Sequence, residues 1–147
     1  MTVFTNATAA IKALWTAHWP APGGVPVYWH ENVENIVPAD PATTAHWLHL
    51  AIEFDAEGIR AFGGGAGAND RALFGSVIIR VFAGRGAGEA TALGYIGSAL
   101  ASFAGRRSAD GNLSCIGAST FPAPLAAMNG LWWQRSALVS FEYRYQG

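Results

Sequence analysis

His46 and His49, in "HWLHLAIEF", stand three residues apart. That spacing would bring two imidazoles together on a helix and make half of a metal site. Here the surrounding alternation is that of a strand: Leu48, Leu50, Ile52 and Phe54 share one face, and His49 and Glu53 take the other. Period two puts His46 and His49 on opposite faces, so no metal pair is expected. His18 and His30 are distant in sequence and have no patterned carboxylate neighbours. The single cysteine, Cys115, lies within "LSCIG", where a thiol acts as a small buried hydrophobe. One cysteine also excludes an intrachain disulfide framework and a multi-cysteine zinc site.

The glycine turn in "RVFAGRGAGEATALG" (80–94) is the remaining candidate for chemistry. A phosphate loop needs a lysine just before the helix with Ser or Thr beside it; here those places hold Gly88 and Glu89, and the one lysine is Lys12. A dinucleotide fingerprint fails too, because its third glycine falls on Glu89 or Thr91. A glutamate in the first helical turn suits the helix dipole and repels a phosphate. The glycines form a hinge into a helix. No G-x-S-x-G elbow is present, and the carboxylates are scattered singly. Neither a catalytic residue, a cofactor site nor a metal site is expected.

The elements that would carry these residues follow from periodicity. "TNATAAIKALWTAHW" reads as a helix capped by Thr5 or Asn6, with Ile11, Leu14, Trp15 and His18 on one face. "PAPGG" stops it, and Pro26 demotes "VPVYWHEN" to an edge or strand start. A strand over "HWLHLAIEFD" leads into a glycine-rich loop at about 56–70. "RALFGSVIIRVF" is the next strand, with Leu73, Val77, Ile79 and Val81 on one face. A second helix carries an apolar stripe of Leu93, Ile96, Leu100 and Phe103. "LSCIGAS" and "WWQRSALVSFEYRYQG" close the chain as strands. The order α-β-β-β-α-β-β predicts an α+β fold: one domain over 1–147, with a mostly antiparallel sheet of four or five strands and two helices packed on it.

With 51% hydrophobic and only 13% charged residues, the chain is expected to have a surface poor in charge and suited to burial against a partner or copies of itself. A net charge of −1 supplies neither a field for sequence-specific nucleic-acid binding nor a polybasic membrane patch. Neither a signal peptide nor a membrane span is expected. The six tryptophans serve the core or subunit contacts. If 132–133 is extended, Trp132 or Trp133 must point away from the core.

Several pieces, in order, resemble the tail-terminator and tail-completion proteins of long-tailed phages and of gene transfer agents. These are "VPVYWHEN" after the first helix, "WLHLAIEF", then "RALFGSVIIRVF" running into "GRGAGEATALGYIGSALASF", and a terminal "WQRSALVSFEYRY". The likeness covers about Ala7 to Tyr145 and rests on the order of loose motifs. The loop "GIRAFGGGAGAND" is richer in glycine than that family's pattern.

The resemblance implies a structural virion protein assembled in the host cytoplasm. Copies would close into a hexameric ring on the head-proximal end of the tail, meeting the major tail tube protein on one side and the head–tail connector on the other. DNA would pass through the lumen, and no catalysis or cofactor would be involved. Within such a ring the expected contacts are Gly64, Asn69, Asp70, Arg71, Phe74 and Arg85 around the central strand, with Trp132 or Trp133 as an apolar anchor. The competing readings are another neck or minor tail component of similar fold and a small ligand-binding domain built on surface tryptophans.

Overall fold

The computed structural model describes residues 2–30, 46–61, 69–84, 89–121 and 132–147. The expected order is found: α1 (Val3–His18), β1 (Val27–Trp29), β2 (His46–Ala61), β3 (Asp70–Gly84), α2 (Glu89–Phe103), β4 (Leu113–Phe121) and β5 (Trp132–Gln146). The strands form one sheet in the order β1-β2-β3-β5-β4. β2, β3, β5 and β4 pair antiparallel, and β1 adds a parallel edge of three residues, so the sheet is mixed. Pro26 sits immediately before that edge strand, as a residue without an N–H must.

α1 starts one turn earlier than expected. Thr2, not Thr5 or Asn6, is the cap, and its hydroxyl accepts the Thr5 amide at 3.2 Å. Ala7, Ile11, Leu14 and Trp15 are buried, whereas His18 is exposed and takes no part in the core. In α2 the buried stripe is Ala92, Ile96, Ala99 and Phe103; Leu93 is 46% exposed and Leu100 is half-buried. The stripe is rotated by one position because two alanines, not two leucines, face the sheet. Small residues there let the helix lie close to the strands.

One face of the sheet carries the main core: Leu48 and Leu50 of β2, Leu73, Val77, Ile79 and Val81 of β3, and Val139, Phe141 and Tyr143 of β5, with both helices packed against them. Trp15 ties the layers together, stacking on Trp19 (4.5 Å between ring centres) and Phe103 (5.5 Å) and meeting Trp29 edge-on at 6.4 Å. The opposite face has a second, smaller cluster in which Trp47 lies flat on Phe82, 4.0 Å apart, beside Tyr28. The alternation marks Trp47 as outward; the aromatic pair is nonetheless buried on that face.

β2 runs further than its hydrophobic alternation. It continues through Ala61, so 56–61, expected as loop, are strand, and 62–68 lie outside the described residues. The register slips between Phe54 and Ala56 and again between Ile59 and Ala61. The first slip sets Glu57, rather than Ala56, on the helix-bearing face opposite Leu73. A bulge is invisible to period-two counting, which loses the strand where it occurs.

Candidate functional site

The charged residues of the far sheet end are held by three strands. Arg71, near the start of β3, donates from Nη1 to Glu57 Oε1 of β2 at 2.8 Å, and the Tyr145 hydroxyl of β5 donates to the same oxygen. The two hydrogen bonds, from Tyr145 first and Arg71 second, hold the Glu57 carboxyl below its ordinary pKa. The Tyr145 phenol is raised by desolvation and then by its bond to Glu57. The Gly147 amide closes the same end by donating to the Asn69 carbonyl at 3.0 Å. Arg71 was singled out by sequence; Glu57 and Tyr145 were not, because the bulge hides the strand that brings Glu57 beside them.

The structure groups the expected contact residues into two sets. Asn69 immediately precedes β3, and Asp70, Arg71 and Phe74 lie in its first five residues. Trp132 and Trp133 open β5, paired with Gly84 and Ala83 at the other end of β3. At roughly 3.3 Å per residue the two sets lie about 40 Å apart along the sheet. They are not one patch. Gly64 and Arg85 fall outside the described residues.

The histidines separate as strand periodicity requires. His46 lies on the helix side, its ring 5.3 Å from that of Tyr95. His49 is buried on the other face, where Arg80 Nη1 stands 3.5 Å from Nδ1 and the His30 ring lies 5.5 Å away. Desolvation, then Arg80 and His30, lower the His49 pKa, so the imidazole is neutral at pH 7. Among the described residues no three His, Cys, Asp or Glu side chains converge as metal ligands. Cys115 is buried, and burial pushes its thiol up to about 11. That is the opposite of an activated nucleophile.

Two open hollows flank the helix layer. One of about 230 Å³ lies beside β2 against Thr8, Trp29, Ile52 and Phe54. The other, about 480 Å³, lies between α1 and the 107–110 turn; Ala10, Ala13, Leu14 and Ala17 line it on one side and Arg107 on the other. Both are mainly apolar, and neither gathers a nucleophile with a base. Polar side chains of the described fold also occupy the sheet face away from the helices, where His49 of β2, Ser76 and Arg80 of β3, and Ser136 and Glu142 of β5 lie.

No helix among the described residues is long and apolar enough to cross a membrane. No protein-family model matches the chain, and no curated protein does. Several solved structures are similar to it; one of them has 18% identity, a TM-score of 0.55, and coverage of 95% of this chain and 96% of that one. At that identity, what the two chains share is the α+β fold over nearly their whole lengths.

Proposed function

We propose that this chain is a structural virion protein that works by assembly: copies form a ring that caps the head-proximal end of a phage-type tail tube, halts its growth and offers a joining surface to the capsid connector. The support is the ordered likeness from "VPVYWHEN" to "WQRSALVSFEYRY", together with one structural observation. The three longest strands, of 15 or 16 residues, form a slab with Glu57, Arg71 and Tyr145 joined at one end, while the two hollows beside the helices gather no nucleophile with a base. The Arg71 end and the Trp133 end of the sheet lie about 40 Å apart, far enough to meet two different neighbours, as a cap between tube and connector requires.

In this reading the Asn69–Arg71 end and the Trp132–Trp133 end serve different partners. Catalysis, cofactor and metal play no part. The tryptophan-based ligand reading is weakened by the packing of Trp15 and Trp47 in the two cores. The deciding experiment is disruption of the gene followed by electron microscopy of the particles. Overlong or unjoined tails are expected; tails of normal length attached to heads would defeat the proposal.

A further inference from the structure

The sheet carries opposite charges on its two outer edges. Reading across the register, Ala56 of β2 lies opposite Phe74, Phe74 opposite Glu142, Glu142 opposite Ser114, and Ser114 bridges to Arg107. The rung is about 20 Å wide. At its β2 end the exposed carboxylates Glu53 and Asp55 stand on an outer edge that has no strand partner among the described residues beyond Leu50. Beside them is the T-shaped pair Phe4 and Phe54, 5.0 Å between centres, with Phe4 45% exposed.

At the other end, Arg106 and Arg107 are mounted on a stiff turn along the outer edge of β4. Cys115 N donates to Arg106 O at 3.0 Å, and Ser108 N donates to Leu113 O at 3.0 Å. Arg106 Nε donates to the Ala101 carbonyl at 2.9 Å. The one nearby turn carboxylate, Asp110, is occupied inside the turn, accepting from the Ser108 hydroxyl at 2.5 Å and the Asn112 amide at 3.0 Å. Arg107 is exposed and borders the alanine-lined hollow of about 480 Å³. One edge is thus acidic with protruding aromatics; the other is basic with an apolar recess.

We propose that this chain self-associates head to tail through these two edges: Glu53 and Asp55 of one copy pair with Arg106 and Arg107 of the next, and Phe4 enters the recess walled by Ala13, Ala17 and Arg107. The inference rests on the ring reading and specifies its subunit contact. Two different, complementary patches on one chain make a heterologous interface, the kind that closes a ring by rotation. Charges at the rim fix register and speed encounter, while the buried aromatic holds the contact. Glu53, Asp55 and Arg107 are exposed, so salt weakens the pairs.

The test is the mass of the full-length chain by light scattering across concentration and salt. The unmodified chain should gain mass with concentration, less so at about 0.5 M salt. Reversing one edge, as Glu53→Arg with Asp55→Arg or as Arg106→Glu with Arg107→Glu, should weaken association roughly tenfold or more. An equimolar mixture of the two variants should restore it, and Phe4→Ser should weaken it in a chain that still unfolds cooperatively, at a temperature lowered by the lost Phe54 contact. Single-edge variants that associate like the unmodified chain, or an unmodified chain that stays monomeric throughout, would overturn the inference. Particle microscopy separates this from the wider role. Normal joined tails with the edge variants, but overlong tails on gene disruption, would remove this contact and leave the cap.

Discussion

Gly75 of β3 lies directly opposite Phe141 of β5, and the Phe141 ring occupies the space a side chain on Gly75 would need. A Cβ built there would stand 2.7 Å from Phe141 Cζ and also press on the Glu53 carbonyl oxygen of β2. The gap lets Phe54, Phe141 and Phe4 line up across the rung, Phe54 meeting Phe141 edge-on at 6.0 Å. Gly75→Ala should therefore cost about 1–3 kcal/mol by overpacking, read from chemical denaturation. Phe141→Leu in the same chain should recover only part of it, since the carbonyl contact remains. A neutral Gly75→Ala would contradict the packing described.

The rotated stripe of α2 makes a paired prediction. Ala99→Leu pushes a larger side chain between helix and sheet and should destabilise by about 1–3 kcal/mol. Leu93→Ser alters a side chain 46% exposed and should change stability by less than about 0.5 kcal/mol. Were Leu93 the costly position, the helix would be packed as hydrophobic spacing alone suggests.

Acid should destabilise the fold through His49. Its folded pKa lies below the unfolded value of about 6.5, so the unfolded chain takes up the proton first. Stability is complete above that value and falls as pH drops below it, until the folded pKa is passed. His46, lowered by desolvation, acts in the same direction. Denaturation midpoints measured between pH 8 and about pH 5 should decline, and His49→Gln should flatten the decline. An unchanged slope in that variant would remove His49 from the account.

Cys115 should resist alkylation in the folded protein. A thiol near 11 leaves about one part in a thousand as thiolate at pH 8, and the group is buried besides. Iodoacetamide labelling followed by mass spectrometry should show reaction only after denaturant is added. Rapid native labelling would place the thiol elsewhere.

At the sheet end, Glu57→Gln should lower the Tyr145 phenol pKa, because the carboxylate that raises it becomes neutral. The change is readable as an earlier tyrosinate absorbance in an ultraviolet pH titration. Tyr145→Phe should in turn raise the Glu57 pKa by removing the larger of its two stabilising hydrogen bonds. Absence of both shifts would mean that the three side chains do not meet.

Alternation alone determined much of this protein. Leu48, Leu50, Ile52 and Phe54 against His49 and Glu53 give the face of β2, and Leu73 to Val81 give that of β3. It also separated His46 from His49, since a period of two leaves no freedom about which side successive residues take. The tertiary structure alone decided the rest. The bulge at Asp55 turns Glu57 toward Arg71 and Tyr145, residues 14 and 88 positions away. The choice of Ala92 and Ala99 over Leu93 for the buried stripe depends on how near α2 lies to β3 and β5. The acidic β2 edge and the basic β4 edge lie on opposite sides of the sheet only because β3 and β5 lie between them. Local sequence sets the periodicity of each element, but register and layer spacing come from packing between elements far apart in the chain, where no short window of residues contains both partners.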